Sequence, residues 1–595
     1  MPSRLPLLTQ PEEPVLSLEV QARMASPETE EPVQFRLLVR HFLERFFNNE
    51  MASANGEGKS RLVQVACAVG LPGLIMALYL YPMYHLPHGH RPYWAQVSDH
   101  YFYVAYSLVA LGVVTVFEWD FFFPDLLDVL VLTILPIVDR KLFLARIAAI
   151  GIFVAGFLFD SNFLAPLVLP AATDPPALIR FLTAHVIAVA LSGTFAAAFL
   201  LALQGILLGL FGEHLFRRIS LLLQGFSITA LLTLLLLTPV VAGTLQDLLL
   251  SKSGAALYFP PLWFLGIYQR FLEGPSALPI FARLAGTGCA ATGIAIMLAV
   301  LSYPFAYWRR TRQLAEGSGG NDQRRWFRSS IWNALHLDVA STPTRNSIFQ
   351  FIGQTLLRVQ RYRIYLVMYG GLGLALIAAS VLRFTMAHGE IHVGLSSDGL
   401  RAAVPIVAFW TIAGLRTSFL APADRRGNWV FRIIQGKPGD KQLSAVKLWV
   451  LLWGLFLSLG TVLLAHAAAP AELRGWRVSV VQVLVAIGLC LLLTEVFFLR
   501  VRTIPFTSSP ARSATHLAFV LMQYLGLFPL LISLTLGLEA WLDDGFLHVG
   551  IAAALAAAAY LGLRMLHRRM VADYMNQTDL DEDQEEFPQT LGLRY

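Results

Sequence analysis

The chain has 595 residues, 56% hydrophobic and 14% charged, with mean hydropathy +0.59 and net charge +6. That composition excludes a soluble domain, because apolar runs of about 20 residues are what a bilayer core requires. Three cysteines, all in or beside apolar runs, give neither metal spacing nor a disulfide framework, and the basic excess beside those runs points to anionic lipid rather than nucleic acid.

Residues 1–33 are polar, Pro-rich and acidic, and read as a disordered tail with no cleavable signal peptide. Residues 35–47 put Phe35, Leu38, Val39, Phe42, Leu43, Phe46 and Phe47 on one helical face and Arg36, Arg40, Glu44 and Arg45 on the other. Such a basic amphipathic helix before a span is expected in the cytoplasmic interface. A first six-span unit then fills 34–308, with apolar runs near 62–84, 101–117, 143–163, 178–212, 219–242 and 281–307. A cytoplasmic linker (309–346) precedes a second unit (347–569), which opens with its own amphipathic segment, 347–363. Its runs lie near 365–384, 402–419, 446–466, 478–499, 514–537 and 547–566, and an acidic tail (570–595) ends the chain. The expected fold is therefore all-α: a polytopic membrane protein with about twelve transmembrane helices in two six-helix repeats. With the N-terminus inside, roughly 33 of the 45 Lys and Arg lie in cytoplasmic segments, which sets the topology with both termini cytoplasmic. Compact loops and this charge bias fit a bacterial inner membrane.

The repeat is also visible in short motifs. Asp139-Arg140-Lys141-Leu142 through Arg146 is matched by Asp440-Lys441-Gln442-Leu443 through Lys447, 301 residues later. Each motif closes a loop too long for a tight turn. The first loop, 118–147, runs from Glu118-Trp119-Asp120 past Pro124 to Pro136; the second, 416–447, runs past Pro422 to Pro438. Proline breaks the preceding helix and a short helix follows, forming an elbow. On the outer side, Tyr258 through Gly266 places prolines before aromatic residues and reads as an interfacial or re-entrant helix that the second half lacks.

Chemistry is sparse. Gly56-Glu57-Gly58-Lys59-Ser60 ends like a phosphate-binding loop, but Ser53 stands where the first glycine belongs and no strand precedes it. His85, His88, His90, Asp99 and His100 cluster in the first outer loop, and His388, Glu390 and His392 in the second half. They read as plain polar loop residues, with a weak metal site at 85–100 as the alternative. Charges inside the spans are nearly absent, which argues against ion coupling; His185 reads as a packing residue. No catalytic, cofactor or metal residue is assigned, and no enzyme activity is expected.

An interfacial helix, six spans, a loop helix ending in Pro136-Ile137-Val138-Asp139-Arg140 and an outer re-entrant segment resemble the exporter-type (type-2) permease subunits of ATP-binding-cassette transporters. The resemblance implies a fused pair of permeases powered by a separate cytoplasmic ATPase subunit, with room for further membrane subunits. The coupling contacts it implies are Pro136, Asp139, Arg140, Lys141 and Arg146, with Pro438, Asp440, Lys441 and Lys447 in the second half. The alternatives are a major-facilitator-like secondary transporter, echoed by Asp424-Arg425-Arg426-Gly427, a non-transporting membrane scaffold, and a lipid-modifying membrane enzyme.

Overall fold

The computed structural model describes residues 27–47, 58–84, 91–132, 134–163, 178–250, 254–316, 342–387, 390–420, 440–468, 475–501, 504–507 and 517–576. Within them the first half comprises α1 (Pro27–Phe47), α2 (Gly58–Tyr84), α3 (Tyr93–Phe117), α4 (Leu126–Leu132), α5 (Asp139–Phe163), α6 (Leu178–Leu236), α7 (Thr238–Leu250), α8 (Pro260–Glu273) and α9 (Pro279–Ala315). The second half comprises α10 (Pro343–Arg358), α11 (Gln360–Val381), strands β1 (Leu382–Ala387) and β2 (Glu390–Leu395), α12 (Ser397–Leu420), α13 (Asp440–Ala468), α14 (Trp476–Phe497), α15 (Leu517–Asp543) and α16 (Phe546–Asn576). Among the described residues eleven segments are long and apolar enough to cross a bilayer, and Val69–Tyr84 in α2 is a shorter apolar stretch beside them. The protein is an all-α polytopic membrane protein.

The second span of each half is its hub. The cores of α3 and α12 are both 83% buried, far above their neighbours, so the two repeats pack to one plan. Around α3 the contacts need small residues and shared hydrogen bonds, as helices in lipid do. Ser107 Oγ donates to Val189 O at 2.8 Å, and Ser192 Oγ donates back to Val104 O at 2.9 Å. At Gly193 any Cβ would fall 2.6 Å from Leu158 and 3.0 Å from Leu111.

The fourth and fifth spans form one element that doubles back. Leu111 touches Gly193, while its neighbour Gly112 meets Leu231. A straight helix would separate Gly193 from Leu231 by about 57 Å. The two limbs, Leu178–Phe211 and Ile219–Leu236, therefore run antiparallel, with the reversal between them. The first limb runs parallel to α9, since Gly205 faces Ser302 and Gly209 faces Phe305. That is the arrangement alternating spans require.

The amphipathic helices behave alike. Leu38, Phe42 and Phe46 of α1 are buried, as are Ile348, Ile352 and Leu356 of α10, with the same four-residue spacing. Each helix lies on the third span of its half, α1 on α5 and α10 on α13. Their apolar faces are thus committed to protein. Helix α1 also starts at Pro27, inside the segment expected to be a disordered tail; residues 1–26 lie outside the described residues.

The ends opposite the elbow differ between the halves. In the first, α8 is inserted among α3, α6 and α9, with Leu262, Phe264, Leu265, Ile267 and Tyr268 buried. In the second, an antiparallel hairpin pairs Leu382 with Leu395 and Ala387 with Glu390, where the sequence suggested a loop. The turn between α15 and α16 is brief.

Candidate functional site at the elbow

The first elbow is built downward from aromatic anchors. Trp119, Phe122 and Phe123 are fully buried, and their backbone carbonyls are claimed by distant side chains. Gln204 Nε2 donates to Trp119 O, and Tyr303 Oη donates to Phe122 O at 2.7 Å. Asp125 then accepts from the Asp128 backbone N–H at 2.8 Å, starting the seven-residue helix α4.

Asp128 is the pivot. It is 6% exposed and lies between two arginines: Arg45 of α1, which also pairs with Asp125, and Arg146 of α5, whose Nη1 approaches to 2.9 Å. Arg146 Nη2 donates to Phe121 O and Phe123 O, both at 2.9 Å, and the guanidinium sits 5.1 Å from the Phe42 ring centre. One buried network therefore ties the amphipathic helix, the elbow and the third span together. Burial of the Arg45 guanidinium weakens its hold on its proton, and the Asp125 carboxylate opposes that shift. At the elbow's start, Glu118 has a buried carboxyl oxygen without a hydrogen-bond partner. Burial, reinforced by nearby Asp120, pushes its pKa up to about 8.

Outside this anchor the elbow is apolar and exposed. Leu126, Leu130, Val131, Ile134, Leu135 and Val138 all face outward, Ile134 at 81% exposure. Pro136, Asp139 and Arg140 are exposed beside them, and Lys141 is half-buried. A pocket of about 30 Å³, bordered by Phe42, Asp128, Leu132, Asp139 and Trp308, opens between α1, α4, α5 and α9; it has room for a water or two.

Of the residues expected at a coupling surface, Pro136, Asp139, Arg140 and Lys141 thus form one rim. Arg146 does not belong to it: at 3% exposure it is an internal clamp. In the second half Pro438 lies outside the described residues, Asp440 begins α13 and Lys441 is exposed. Lys447, in the position of Arg146, is again turned inward, its Nζ 2.5 Å from Glu495 Oε2 at the end of α14. The repeat retains an inward base but changes its partner. Sequence reasoning missed Asp128 and Arg45 as a pair; the signal was a lone acid inside the apolar stretch Leu126–Leu132.

A second polar cluster lies at the opposite end, and it corrects the expectation for the histidines there. Asp99 and His100 belong to helix α3 rather than a loop, and both are buried. Arg91 grips Asp99 with two contacts at 2.5 and 2.7 Å, and Tyr84 Oη donates to it at 2.9 Å. The His100 ring stacks on Tyr268 at 4.2 Å and its Nδ1 lies 2.9 Å from Gln269 Nε2. His185 Nδ1 lies 3.3 Å from Tyr268 Oη. The His100 and His185 contacts fasten α8 into the bundle. Among the described residues no group of three potential metal ligands occurs; His85, His88, His90 and His388 lie outside them, as do residues 53–57 of the phosphate-loop-like stretch.

Compared with known proteins, the chain matches no family model, no curated protein and no solved structure.

Proposed function

We propose that this chain is the membrane permease of an ATP-driven exporter, powered by a separate ATPase subunit that docks on the elbows 118–147 and 416–447. The observation that carries this reading is the first elbow: an exposed apolar ridge rimmed by Asp139, Arg140 and Lys141, clamped through Asp128 to both α1 and α5. A surface of this kind suits a protein partner. Because it is fixed to the third span by buried charge pairs, a push on it moves the half as a body. The basic bias supports an elbow end that is cytoplasmic, with both termini on that side and the bacterial inner membrane as location: only about nine Lys and Arg fall at the far end. The partners on this reading are the ATPase, the bilayer and any further membrane subunits.

The test is purification of the full chain from its native membrane in mild detergent, followed by mass spectrometry. Arg140→Glu with Lys141→Glu and Lys441→Glu should strip off a stoichiometric ATPase. An ATPase-free preparation of the unaltered chain would contradict the proposal.

One observation favours a secondary transporter as the second reading. Glu539, within α15, is 2% exposed and has a carboxyl oxygen without a hydrogen-bond partner. Intramembrane carboxylates of this kind carry coupling ions. Uptake driven by an ion gradient and abolished by Glu539→Gln would select this reading.

A further inference from the structure

Asp160 stands three residues before the last residue of α5, yet it lies at mid-depth in the bundle. A Cβ at Gly70 of α2 would lie 3.3 Å from Asp160 O, and one at Gly73 would lie 3.3 Å from Ser161 O. Tyr106 of α3 donates to Val69 O, and Tyr103 donates to Gly73 O at 3.4 Å, so α2, α3 and α5 meet at one level. Gly70 is one residue from the centre of α2, and Tyr106 is one from the centre of α3. Both helices therefore set this level near the bilayer midplane. Pro72, between the two glycines, lacks the N–H of a regular turn. Interrupted helices at this depth are where membrane proteins hold ions.

The donors beside Asp160 are committed elsewhere. Asn162 Nδ2 is shared among Ser107 Oγ, Leu158 O and Ser161 Oγ, at 3.2, 3.0 and 2.7 Å. Ser107 Oγ donates to Val189 O, and the two tyrosines donate to α2. Asp160 Oδ2 is closed to solvent without a hydrogen-bond partner, and Oδ1 lies 3.6 Å from the Cβ position of Gly70. The buried acids Asp99 and Asp128 are each held by an arginine. An acid kept for structure spends its oxygens on the fold, whereas an idle one at mid-depth marks a function. On the packed elements the nearest titratable groups are Tyr103 and Tyr106 of α3, Cys67 of α2 and His185 of α6, which lies against Tyr103. None is an acid or a permanent cation. Helix α1 meets α5 two turns away, where Phe46 stacks on Phe153.

We propose that Asp160 is an intramembrane proton-binding site, and that its proton keeps the α2–α5 joint closed. As a carboxyl the group is neutral and tolerates the contact with Gly70. As a carboxylate it is a buried charge with no donor, and it must draw water between the two helices. Glycines at the crossing let the backbones touch, so there is no side chain to fill the gap once water enters. The site stands apart from both transport readings, since neither the elbow nor Glu539 takes part in it.

The experiment uses the full chain in lipid nanodiscs, treated with dicyclohexylcarbodiimide and mapped by mass spectrometry. This apolar reagent takes the O–H of a protonated carboxyl across one C=N bond, oxygen to carbon and hydrogen to nitrogen. The acyl group then migrates to nitrogen and leaves a stable N-acylurea, with no oxidant or reductant involved. Asp160 should be labelled, and labelling should fall several-fold as pH is raised from acidic to alkaline. A water-soluble carbodiimide should label the exposed Asp139 and spare Asp160. Hydrogen exchange of the α2 backbone around Pro72 reads the joint, with Asp160→Asn as the uncharged mimic of the proton-bound form. At alkaline pH the parent should exchange several-fold faster than the variant, and at acidic pH the two should agree. A folded chain without an Asp160 adduct, or one labelled equally by the water-soluble reagent, would overturn the proton site. Equal exchange in parent and variant at every pH would overturn its hold on the joint. The labelling needs no variant, so a failure of Asp160→Asn to fold leaves the proton site testable.

Discussion

Arg146 Nη1 and Asp128 Oδ2 meet at 2.9 Å with both side chains nearly closed to solvent, 4% and 6% exposed. The pair joins the third span to the elbow. Removing one partner strands a buried charge, which costs about 3–5 kcal/mol. Arg146→Met or Asp128→Asn alone should therefore lower the melting temperature in detergent markedly. The double variant should lie above the sum of the single losses. Additive losses would show that the two residues act separately.

The rim and the clamp should separate on mutation. Arg140→Glu and Lys141→Glu alter an exposed or half-buried edge and should leave the melting temperature within about 0.5 kcal/mol equivalents of the parent. Lys447→Glu would set two acids against each other beside Glu495 and should reduce folded yield, as read by size-exclusion chromatography. Its rescue by Glu495→Lys would identify the pair as the cause.

Glu118 makes stability depend on pH. Its folded pKa is raised from 4.5 to about 8, chiefly by burial, so in that interval the folded state holds more protons than the unfolded state. Stability is then full below the unfolded value, falls as pH rises through the interval, and levels off above about 8. Glu118→Gln should flatten this slope in melting curves taken across the interval. An unchanged slope would place the titration elsewhere.

Packing of the spans is testable at two glycines. Gly193→Val drives atoms into Leu158 and Leu111, whereas Gly151 has open space around its Cβ position. Overpacking costs about 1–3 kcal/mol, so Gly193→Val should melt lower and Gly151→Ala should not.

The sequence made the spans and their duplication legible because apolar length and a fixed 301-residue offset are one-dimensional signals. The elbow was legible for the same reason: prolines bracket its short helix. Burial of Arg146 was not, since a base that ends a charged motif looks the same whether it faces water or an acid eighteen residues earlier. Asp99 and His100 misled in the same way. The partners of His100, Tyr268 and Gln269, are brought in by helix α8 from about 170 residues away, which local pattern does not encode. The hairpin Leu382–Leu395 is joined by His388-Gly389, whose single glycine is a weaker signal than the Asn-Gly or Asp-Gly pair that marks hairpins in sequence.

The central claim is that the elbows receive a separate ATPase. Its most direct measurement is the composition of the complex purified from native membranes, before and after charge reversal at Arg140, Lys141 and Lys441. The account predicts a stoichiometric ATPase subunit that is lost on reversal while the chain stays folded. A folded chain that purifies without any ATPase, or one whose ATPase survives the reversal unchanged, would contradict it.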